Sequence, residues 1–349
     1  MRRCMPNGCY RNHPTFFIMD WLKQFDVADF GYTEESKPLS LSSYNEWVEK
    51  GIHAPLHYLE GDRQLKRQDL KNHWSEFQSA LVFLFSYHPT HFELQELVKN
   101  DPNYNGLKVA SYTLGFEGGD YHDLLRLKLE AIGEKLKTDH QLEYKLTLDT
   151  HPVLERDLAM RAGLGWFGKN SMLINRSHGS FFIIGSLLLN KKLEMGIRPV
   201  ETDHCGQCTR CIDACPTEAI DPLTRTIIAQ DCISTFTIEQ FKIDTTPSMK
   251  MDLTSGAIFG CDICQDVCPW NKRVDRRQDF AHISWSSAQK KILDFFMLRP
   301  VGELHQDLEK MSGGEFERHF EKTSFSRSGK RGLLKNIRLY LAQKLNILS

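Results

Sequence analysis

The segment Cys205-Gly-Gln-Cys208-Thr-Arg-Cys211-Ile-Asp-Ala-Cys215-Pro216 carries four cysteines at the spacing Cys-x2-Cys-x2-Cys-x3-Cys-Pro. Bacterial iron–sulfur proteins that hold two clusters use this spacing. The first three thiolates wrap three corners of one [4Fe–4S] cube, and the fourth cysteine, after the longer spacer, binds a second cube. The segment therefore predicts a small two-cluster domain of the bacterial ferredoxin type.

A second cysteine run, Cys261-x2-Cys264-x3-Cys268-Pro269, repeats the end of this pattern. Its first cysteine is missing, because Ile258 stands three residues before Cys261, and Cys232 is left to fill the place. The first cluster is predicted to take Cys205, Cys208, Cys211 and Cys268, and the second Cys215, Cys232, Cys261 and Cys264. A pair of zinc sites would also use Cys-x2-Cys, but it explains neither the x2-x2-x3 run nor the two Cys-Pro endings.

The composition limits the class of protein. The chain has 349 residues, 44 Lys and Arg against 45 Asp and Glu, and ten cysteines, eight of them between Cys205 and Cys268. Such crowding in a long chain indicates metal binding in a reducing compartment, the cytoplasm, rather than a secreted disulfide framework. The balanced charge excludes a uniformly basic nucleic-acid coat. The apolar run Phe181–Leu189 is too short to cross a membrane.

Outside the cysteine region the sequence predicts an α+β fold with a central sheet. Four apolar segments are predicted strands: Ala80–Tyr87, Lys145–Asp149, Met172–Asn175 and Phe181–Leu189. Two segments have apolar residues at helical spacing: Tyr121–Lys137 and Val153–Ala162. We expect a mobile tail with Cys4 and Cys9 over residues 1–15, a sheet domain over 16–195, a two-cluster domain over 196–283 and a short helical region over 284–349.

The glycine-rich segment Gly163–Asn170 matches parts of two nucleotide-binding motifs. Gly163, Gly165 and Gly168 spell G-x-G-x-x-G, but a predicted helix precedes them and a predicted strand follows, which reverses the order that the motif requires. Asn170 also stands where a P-loop needs Ser or Thr. The segment is therefore predicted to be a tight turn that lets backbone approach a large flat ligand.

Asp149 ends a predicted apolar strand, a position that often carries a functional side chain in α/β domains. A partly desolvated carboxyl there would keep its proton near neutral pH and act as an acid. The alternative is that Asp149 caps the helix predicted to begin near Val153.

Six segments taken together resemble one family. They are residues 119–122 (GDYH), 149–156 (DTHPVLER), 162–170 (AGLGWFGKN), 179–182 (GSFF), 205–220 and 259–270. From about Phe16 onward the chain resembles the epoxyqueuosine reductases, which are iron–sulfur and cobalamin enzymes that complete queuosine biosynthesis. The resemblance implies a cobalamin-binding N-terminal domain related to reductive dehalogenases, followed by the ferredoxin-like domain and a short helical region.

The resemblance also implies a reaction and its cofactors. Epoxyqueuosine, at the wobble position of tRNAs for Tyr, His, Asp and Asn, is reduced to queuosine, and the epoxide becomes a cyclopentene. Electrons pass from an unidentified reductant through two [4Fe–4S] clusters to cob(II)alamin. The family's proton donor corresponds to Asp149.

The expected contacts with cobalamin follow from the same resemblance. They are Asp149, Arg156, Lys169, Asn170, Cys261 and Asp262. Lys169 has an alternative role as a structural partner of Glu155 or Asp157. Extra residues at Phe116–Gly118 leave the cobalamin contacts of the loop Tyr112–Gly119 open.

Two basic clusters are candidates for contact with tRNA. Lys272, Arg273, Arg276 and Arg277 follow the second cysteine run, and residues 322–349 hold seven Lys or Arg and no Asp or Glu. Either cluster has the alternative role of a solvated helix face, but local basic patches on a neutral chain suit a phosphate backbone. The predicted tRNA contacts are Ser234, Lys272, Arg273, Lys330 and Arg331.

Two alternative functions share these motifs. A reductive dehalogenase-like enzyme would use the same cofactors, but it is expected to carry an export signal, which the residues after Arg2–Arg3 do not resemble. A ferredoxin-type electron carrier needs only the cysteine region and leaves the N-terminal half without a role. We expect a monomeric enzyme without a membrane span.

Overall fold

The computed structural model describes residues 21–277 and 283–348, so the predicted tail with Cys4 and Cys9 lies outside the described residues. The strands are β1 (Asp29–Thr33), β2 (Ser79–Ser86), β3 (Lys108–Val109), β4 (Tyr144–Leu148), β5 (Trp166–Phe167), β6 (Leu173–Ile174), β7 (Phe182–Leu189) and β8 (Ala257–Phe259). The α-helices are α1 (Leu41–Glu49), α2 (Asp62–Arg67), α3 (Leu70–His73), α4 (His88–Asn100), α5 (Tyr121–His140), α6 (Glu155–Arg161), α7 (Arg210–Asp213), α8 (Ile263–Asp266), α9 (Pro269–Arg277), α10 (Ser287–Phe296), α11 (Val301–Lys310), α12 (Gly313–Phe320) and α13 (Gly329–Leu348). A π-helix covers Thr235–Glu239. None of the helices within the described ranges combines the length and hydropathy of a membrane span.

A four-stranded antiparallel sheet, in the order β1-β2-β7-β4, lies at the centre of the N-terminal part. Three of the predicted strands form β2, β4 and β7, and both predicted helices are present as α5 and α6. The fourth predicted strand, β6, pairs instead with β5 in a separate hairpin. The sequence analysis missed β1, a short edge strand interrupted by Gly31, where a Cβ would lie 2.2 Å from the carbonyl oxygen of Ala162. The antiparallel pairing confirms the α+β class.

Strand β2 is buried on both faces, which explains its nearly continuous apolar sequence. Alternate side chains of a strand point to opposite faces of the sheet. Leu81, Phe83 and Phe85 share a core with α5, and Ala80, Val82 and Leu84 share a core with α6. Gly185 of the neighbouring β7 lets α5 approach closely, because a Cβ there would lie 2.7 Å from Leu129.

The C-terminal helices share one apolar core with the cysteine region. Leu333 and Ile337 of α13 belong to the same buried cluster as Phe236 of the π-helix and Phe259 of β8. Strand β8 in turn pairs in parallel with β3 of the N-terminal part. The helical region therefore supports the cysteine region directly, and the domain boundaries at residues 195 and 283 stay predictions.

Two polar side chains of α13 hold the π-helix. Lys335 is 5% exposed and donates to the carbonyl of Phe236. Asn336 is fully buried and donates to the carbonyls of Thr237 and Ile258, at 2.9 and 2.8 Å. Buried carbonyls need such partners, because an unpaired polar group in the interior is costly. Helix α13 thus donates hydrogen bonds to the carbonyls of Phe236 and Thr237 in the π-helix.

Replacing Asn336 with alanine should destabilise the native structure. Asn336→Ala leaves the two buried carbonyls without donors, at a cost of about 1–3 kcal/mol for each group. We expect the thermal unfolding midpoint of the cluster-loaded protein, followed by circular dichroism, to fall by several degrees. Asn103→Ala, at an exposed position, should leave the midpoint unchanged. An equally small effect of Asn336→Ala would show that these carbonyls find other partners.

Candidate iron–sulfur centres and adjoining cleft

The first group of thiols joins three cysteines of the first run to the last cysteine of the second. Burial raises the pKa of Cys211 to about 11, with a contribution from the neighbouring thiols of Cys268 and Cys205. Burial also raises the pKa of Cys268, and the thiols of Cys205 and Cys208 add to this effect. The four cysteines expected to bind one cluster therefore lie close together.

The remaining four cysteines of the region form a second group. Burial raises the pKa of Cys264 well above its ordinary value, and the thiols of Cys261 and Cys232 add to the effect. Burial likewise raises the pKa of Cys232 and of Cys261, with a contribution from Cys215 in both. Cys215 thus lies with the second group, so the cysteine that ends each run has crossed to the other run.

Backbone amides surround several of these sulfur atoms. The amide of Ala219 donates to Sγ of Cys215 at 3.3 Å. The amides of Ser234 and Thr235 lower the pKa that burial raises at Cys232. Such donors stabilise thiolates, and reduction potentials of iron–sulfur clusters depend on them. In the first group, backbone amides likewise lower the pKa that burial raises at Cys268. Each set of four thiols therefore has the donor chemistry and the surroundings that a [4Fe–4S] cluster requires.

A hairpin formed by β5 and β6 reaches both groups of cysteines. Its connection covers residues 168–172. The segment 163–170, predicted to be a tight turn, instead contains a turn after α6, the strand β5 and the first residues of this connection. Lys169 donates to the carbonyl of Gly206, in the first cysteine loop, at 2.8 Å. The buried side chain of Asn170 contacts the backbone and the thiol of Cys264. Lys169 therefore lies beside the first group, and Asn170 lies beside the second.

The alternative pairing of Lys169 with Glu155 or Asp157 is wrong. The carboxylate of Asp157 is buried and accepts from Arg161 at 2.6 Å. The carboxylate of Glu155 accepts from the amide of Asp149. Both carboxylates are thus engaged within the N-terminal part, while Lys169 extends toward the cysteine region.

Asp149 lies in a sharp turn directly after β4, with a φ of 43° that is uncommon for residues other than glycine. Its Oδ2 accepts from the hydroxyl of Tyr121 and from Nε2 of His122, each at 3.0 Å. Helix α6 begins at Glu155, and its N-cap, Leu154, makes no side-chain hydrogen bond. The interpretation of Asp149 as a helix cap is therefore wrong. The start of α5 holds its carboxylate instead.

The protonation of Asp149 differs from the sequence-based expectation. Desolvation in the cleft would raise the pKa of Asp149, but hydrogen bonds from His122 and Tyr121 hold it below its ordinary value. Burial, reinforced by the charge of Asp149, raises the pKa of Glu155 to about 8. Burial opposes a charge on His122, but Asp120 and Asp149 raise its pKa to about 9. The prediction that the Asp149 carboxyl keeps its proton near neutral pH is therefore wrong. In this arrangement His122 and Glu155 hold protons and Asp149 is a carboxylate.

A cavity of about 250 Å³ adjoins Asp149. Its lining residues are Tyr112, Asp120, Tyr121, His122, Asp149, Ile183, Ile238, Glu239, Ser324 and Arg327. Arg327 donates to both carboxylate oxygens of Glu239, at 2.8 and 2.7 Å. The sequence analysis missed His122, Glu239 and Arg327 as site residues. The motif GDYH contains a signal for His122, whereas no local pattern joins Glu239 to Arg327.

The cavity adjoins the second group of cysteines through Tyr112. Burial raises the pKa of Tyr112, and the carboxylates of Asp149 and Asp262 both add to the shift. Asp262 accepts from the amide and the hydroxyl of Ser111, at 2.7 and 2.6 Å. Because Asp262 follows Cys261 in the chain, a short path of contacts joins the second group to the cavity.

The other predicted contacts lie nearer the surface. Arg156 is exposed and donates to the carbonyl of Ser171. Lys272 is exposed, and exposed Arg273 lies 4.3 Å from the ring centroid of Trp270. Of the six expected cobalamin contacts, Asp149 alone is among the residues that line the described cavity.

The two predicted tRNA contacts of α13 differ in their surroundings. Lys330 donates to the carbonyls of Glu309 and Met311, at the end of α11, so its ammonium group is engaged within the protein. Arg331 is exposed. Both residues line a groove of about 1260 Å³ whose wall includes Ser326, two residues beyond the cavity residue Ser324. The groove and the cavity are therefore lined in part by residues that are near neighbours in the sequence.

Comparison with known families assigns the class of protein first. Residues 204–271 match the family described as a 4Fe-4S double cluster binding domain. The chain is thus an iron–sulfur protein with a domain for two [4Fe–4S] clusters, joined to an α+β domain. Residues 67–150 match the family described as epoxyqueuosine reductase QueG, DUF1730.

Individual relatives then identify the family. The epoxyqueuosine reductase of Cyclobacterium marinum is 33% identical over 314 residues, which cover 89% of this chain and 90% of the relative. The structure of epoxyqueuosine reductase from Streptococcus thermophilus matches 95% of this chain and 81% of its own, with a TM-score of 0.73 and 24% identity. An epoxyqueuosine reductase solved with an epoxyqueuosine-modified stem loop of tRNA-Tyr matches 94% of this chain and 81% of its own, with a TM-score of 0.70 and 25% identity. The chain belongs to the epoxyqueuosine reductase family, as the sequence predicted.

Cys232 is expected to be required for the second cluster alone. In Cys232→Ser, iron and labile sulfide per chain should fall by about half, because one [4Fe–4S] cluster loses a ligand. The electron paramagnetic resonance signal of the first cluster should remain. The double variant Cys4→Ser/Cys9→Ser should keep the full iron content. Full retention in Cys232→Ser, or loss of both clusters with a folded protein, would show that the ligand sets are divided differently.

Proposed function

We propose that this chain reduces epoxyqueuosine to queuosine at the wobble position of tRNA, the last step of queuosine biosynthesis. The observation that carries the proposal is the position of Asp149 in a cavity that adjoins the second cysteine group through Tyr112 and Asp262. Removal of an epoxide oxygen needs electrons and protons at one place. An electron carrier without a substrate would need neither the cavity nor its acid–base groups.

The eight cysteines bind the two clusters in exchanged sets. One set is Cys205, Cys208, Cys211 and Cys268, and the other is Cys215, Cys232, Cys261 and Cys264. An unidentified reductant supplies electrons to the first cluster, which passes them to the second. The second cluster is the one next to the cavity, since Cys261 precedes Asp262 and Asp262 contacts Ser111.

Cobalamin is the proposed cofactor between cluster and substrate. The cavity of about 250 Å³ has room for only part of so large a ligand, and it presents the rings of Tyr112 and Tyr121, which meet edge to face at 83°, together with polar groups. The residues that would hold it are Asp149, Arg156, Lys169, Asn170, Cys261 and Asp262. When bound, cobalamin supplies a metal centre that takes up electrons singly and delivers them to a substrate carbon.

Asp149 acts as the proton donor to the epoxide oxygen. The hydrogen bonds from Tyr121 and His122 direct its carboxylate. Its positive φ stores strain of roughly 1–3 kcal/mol, which such residues carry mostly at functional sites. Because the pKa of Asp149 lies below its ordinary value, the carboxylate takes up each proton from a neighbouring group before it passes the proton to the oxygen. General acids at such positions give rate gains of about 100-fold or more.

The substrate is tRNA, and the relative solved with an epoxyqueuosine-modified stem loop supports this assignment. The acceptors are tRNAs for Tyr, His, Asp and Asn, and the enzyme acts as a monomer. The residues proposed to contact tRNA are Ser234, Lys272, Arg273, Lys330 and Arg331. Exposed Arg273 and Arg331 contribute charge, whereas Lys330 contributes by supporting the surface next to Arg331.

Asp149→Asn tests the chemistry together with the cofactor. Protein purified without oxygen should retain added cobalamin, seen as a corrinoid absorbance band, and should convert epoxyqueuosine tRNA to queuosine tRNA. Asp149→Asn should keep iron, sulfide and corrinoid but lose turnover by about 100-fold or more, because an amide cannot pass the proton. Asp294→Asn, at an exposed position, is the matched control. Intact clusters without bound corrinoid in the wild type would overturn the proposed function, and wild-type turnover in Asp149→Asn would remove Asp149 from the chemistry.

Arg331→Ala tests the contact with tRNA. Binding should weaken similarly for all acceptor tRNAs, and the slope of log affinity against log salt should become shallower by about 1, because one phosphate contact is lost. The control is Lys135→Ala on α5, since Lys135 lies roughly 20 Å along the helix from Tyr121. Identical affinity and salt slope in Arg331→Ala would assign this arginine to the solvated surface.

A further inference from the structure

His122 lies between two carboxylates beside the cavity. Its Nδ1 is 2.7 Å from Oδ1 of Asp120, and its Nε2 is 3.0 Å from Oδ2 of Asp149. The ring of Tyr121 stacks on the imidazole, with centroids 4.1 Å apart. The side chain of His122 is 23% exposed and that of Asp149 is 48% exposed, so solvent reaches both. The feature that distinguishes His122 is its hydrogen bonds to both carboxylates.

Helix stability does not account for this arrangement. His122 is the second residue of α5, where the free amides of the first turn create a positive potential that disfavours a cation. Asp120 is the N-cap and accepts from the amide of His122 at 2.9 Å. The same carboxylate accepts from Nδ1 of the imidazole. Asp120 therefore caps the helix and also orients the ring so that Nε2 faces Asp149.

The charges around His122 favour its cationic form. Burial opposes the cation, but Asp120 and Asp149 raise the pKa of His122 to about 9. The titratable and charged groups around the site are Tyr112, Asp120, Tyr121, Asp149, Glu155, Glu239 and Arg327. Burial raises the pKa of Glu155 to about 8. The carboxylate of Glu155 accepts from the backbone amide of Asp149, so its hydrogen bond to Asp149 does not involve the Asp149 carboxylate. Within the part of the chain that the structure describes, His122 is the cation hydrogen-bonded to the Asp149 carboxylate.

We propose that His122 relays protons through Asp149 to the epoxide oxygen. The proposal rests on the proposed function. Conversion of an epoxide to an alkene breaks both carbon–oxygen bonds, forms a carbon–carbon double bond and releases the oxygen as water. It consumes two electrons, from the external reductant through the clusters, and two protons.

One carboxylate holds one proton at a time, so Asp149 must be recharged within a single turnover. Nε2 of His122 gives its proton to Asp149, and the imidazole regains a proton from solvent while Asp120 retains the hydrogen bond to Nδ1. His122 acts through Asp149 and does not touch the reacting atoms, so it is a positioning residue for proton delivery.

The pH dependence of His122→Gln tests this relay. The glutamine amide replaces the Nε2 donor without carrying a titrating proton. With pre-reduced wild-type enzyme, the single-turnover rate should stay level through neutral pH and fall as pH rises through about 9, where His122 loses its proton. In His122→Gln the rate at neutral pH should fall by about 100-fold. It should then rise toward acid pH, because Asp149 must take its proton from solvent.

His140→Gln, at the exposed end of the same helix, should keep the wild-type profile. Asp120→Asn should move the alkaline limb to lower pH, since one of the two carboxylates that favour the cation is gone. A His122→Gln profile that coincides with the wild-type profile would overturn the proposal.

A second measurement does not depend on turnover. Infrared difference spectra between neutral and acid pH, with Asp149→Asn to identify the band, report the carboxyl group of Asp149. Loss of the cation in His122→Gln should move its midpoint to higher pH, and an unchanged midpoint would also overturn the proposal. The two proposals can fail separately. If the protein binds epoxyqueuosine tRNA without reducing it, the proposed function is overturned. A shifted midpoint in that protein would still show that Asp149 is coupled to His122.

Discussion

The exchange of one thiol between the two cysteine runs is the constraint on which the rest of the structure depends. Cys268 ends the second run but lies with the first group, and Cys215 ends the first run but lies with the second. Metal binding to such sets contributes directly to folding free energy, because no preformed site exists in the unfolded chain. The segments 205–215 and 261–268 are therefore fixed relative to each other, and neither moves without opening both groups.

The position of the cavity follows from this constraint. Asp262 is carried next to Cys261, and its carboxylate holds Ser111 of the N-terminal part. The turn with Asn170 contacts the same group of cysteines at Cys264. Two separate contacts thus dock the α+β domain onto the cysteine region. The acid–base groups of the first domain lie beside the second group of cysteines because the two parts are joined in this way.

Much of this arrangement was predictable from the sequence, because cysteine spacing and strand periodicity are local patterns. The assignment of Cys268 to the first set and Cys215 to the second needs only the two runs and the vacant place at Ile258. The protonation of Asp149 was not predictable in the same way. Its pKa depends on His122, which the chain brings to hydrogen-bonding distance from 27 residues away. Burial argues for a neutral carboxyl, and a neighbouring cation outweighs burial here.

The basic segment 322–349 shows why a count of charges overstates a surface. Several of its cations are engaged within the protein: Arg327 with Glu239, Lys330 with backbone carbonyls, Lys335 with the π-helix, and Arg338 with Glu309. Three of these contacts hold segments that border the cavity or the groove. The segment therefore acts mainly as the support that closes the site. The proposed contact with a phosphate backbone therefore depends on exposed groups such as Arg331 rather than on the net charge of the run.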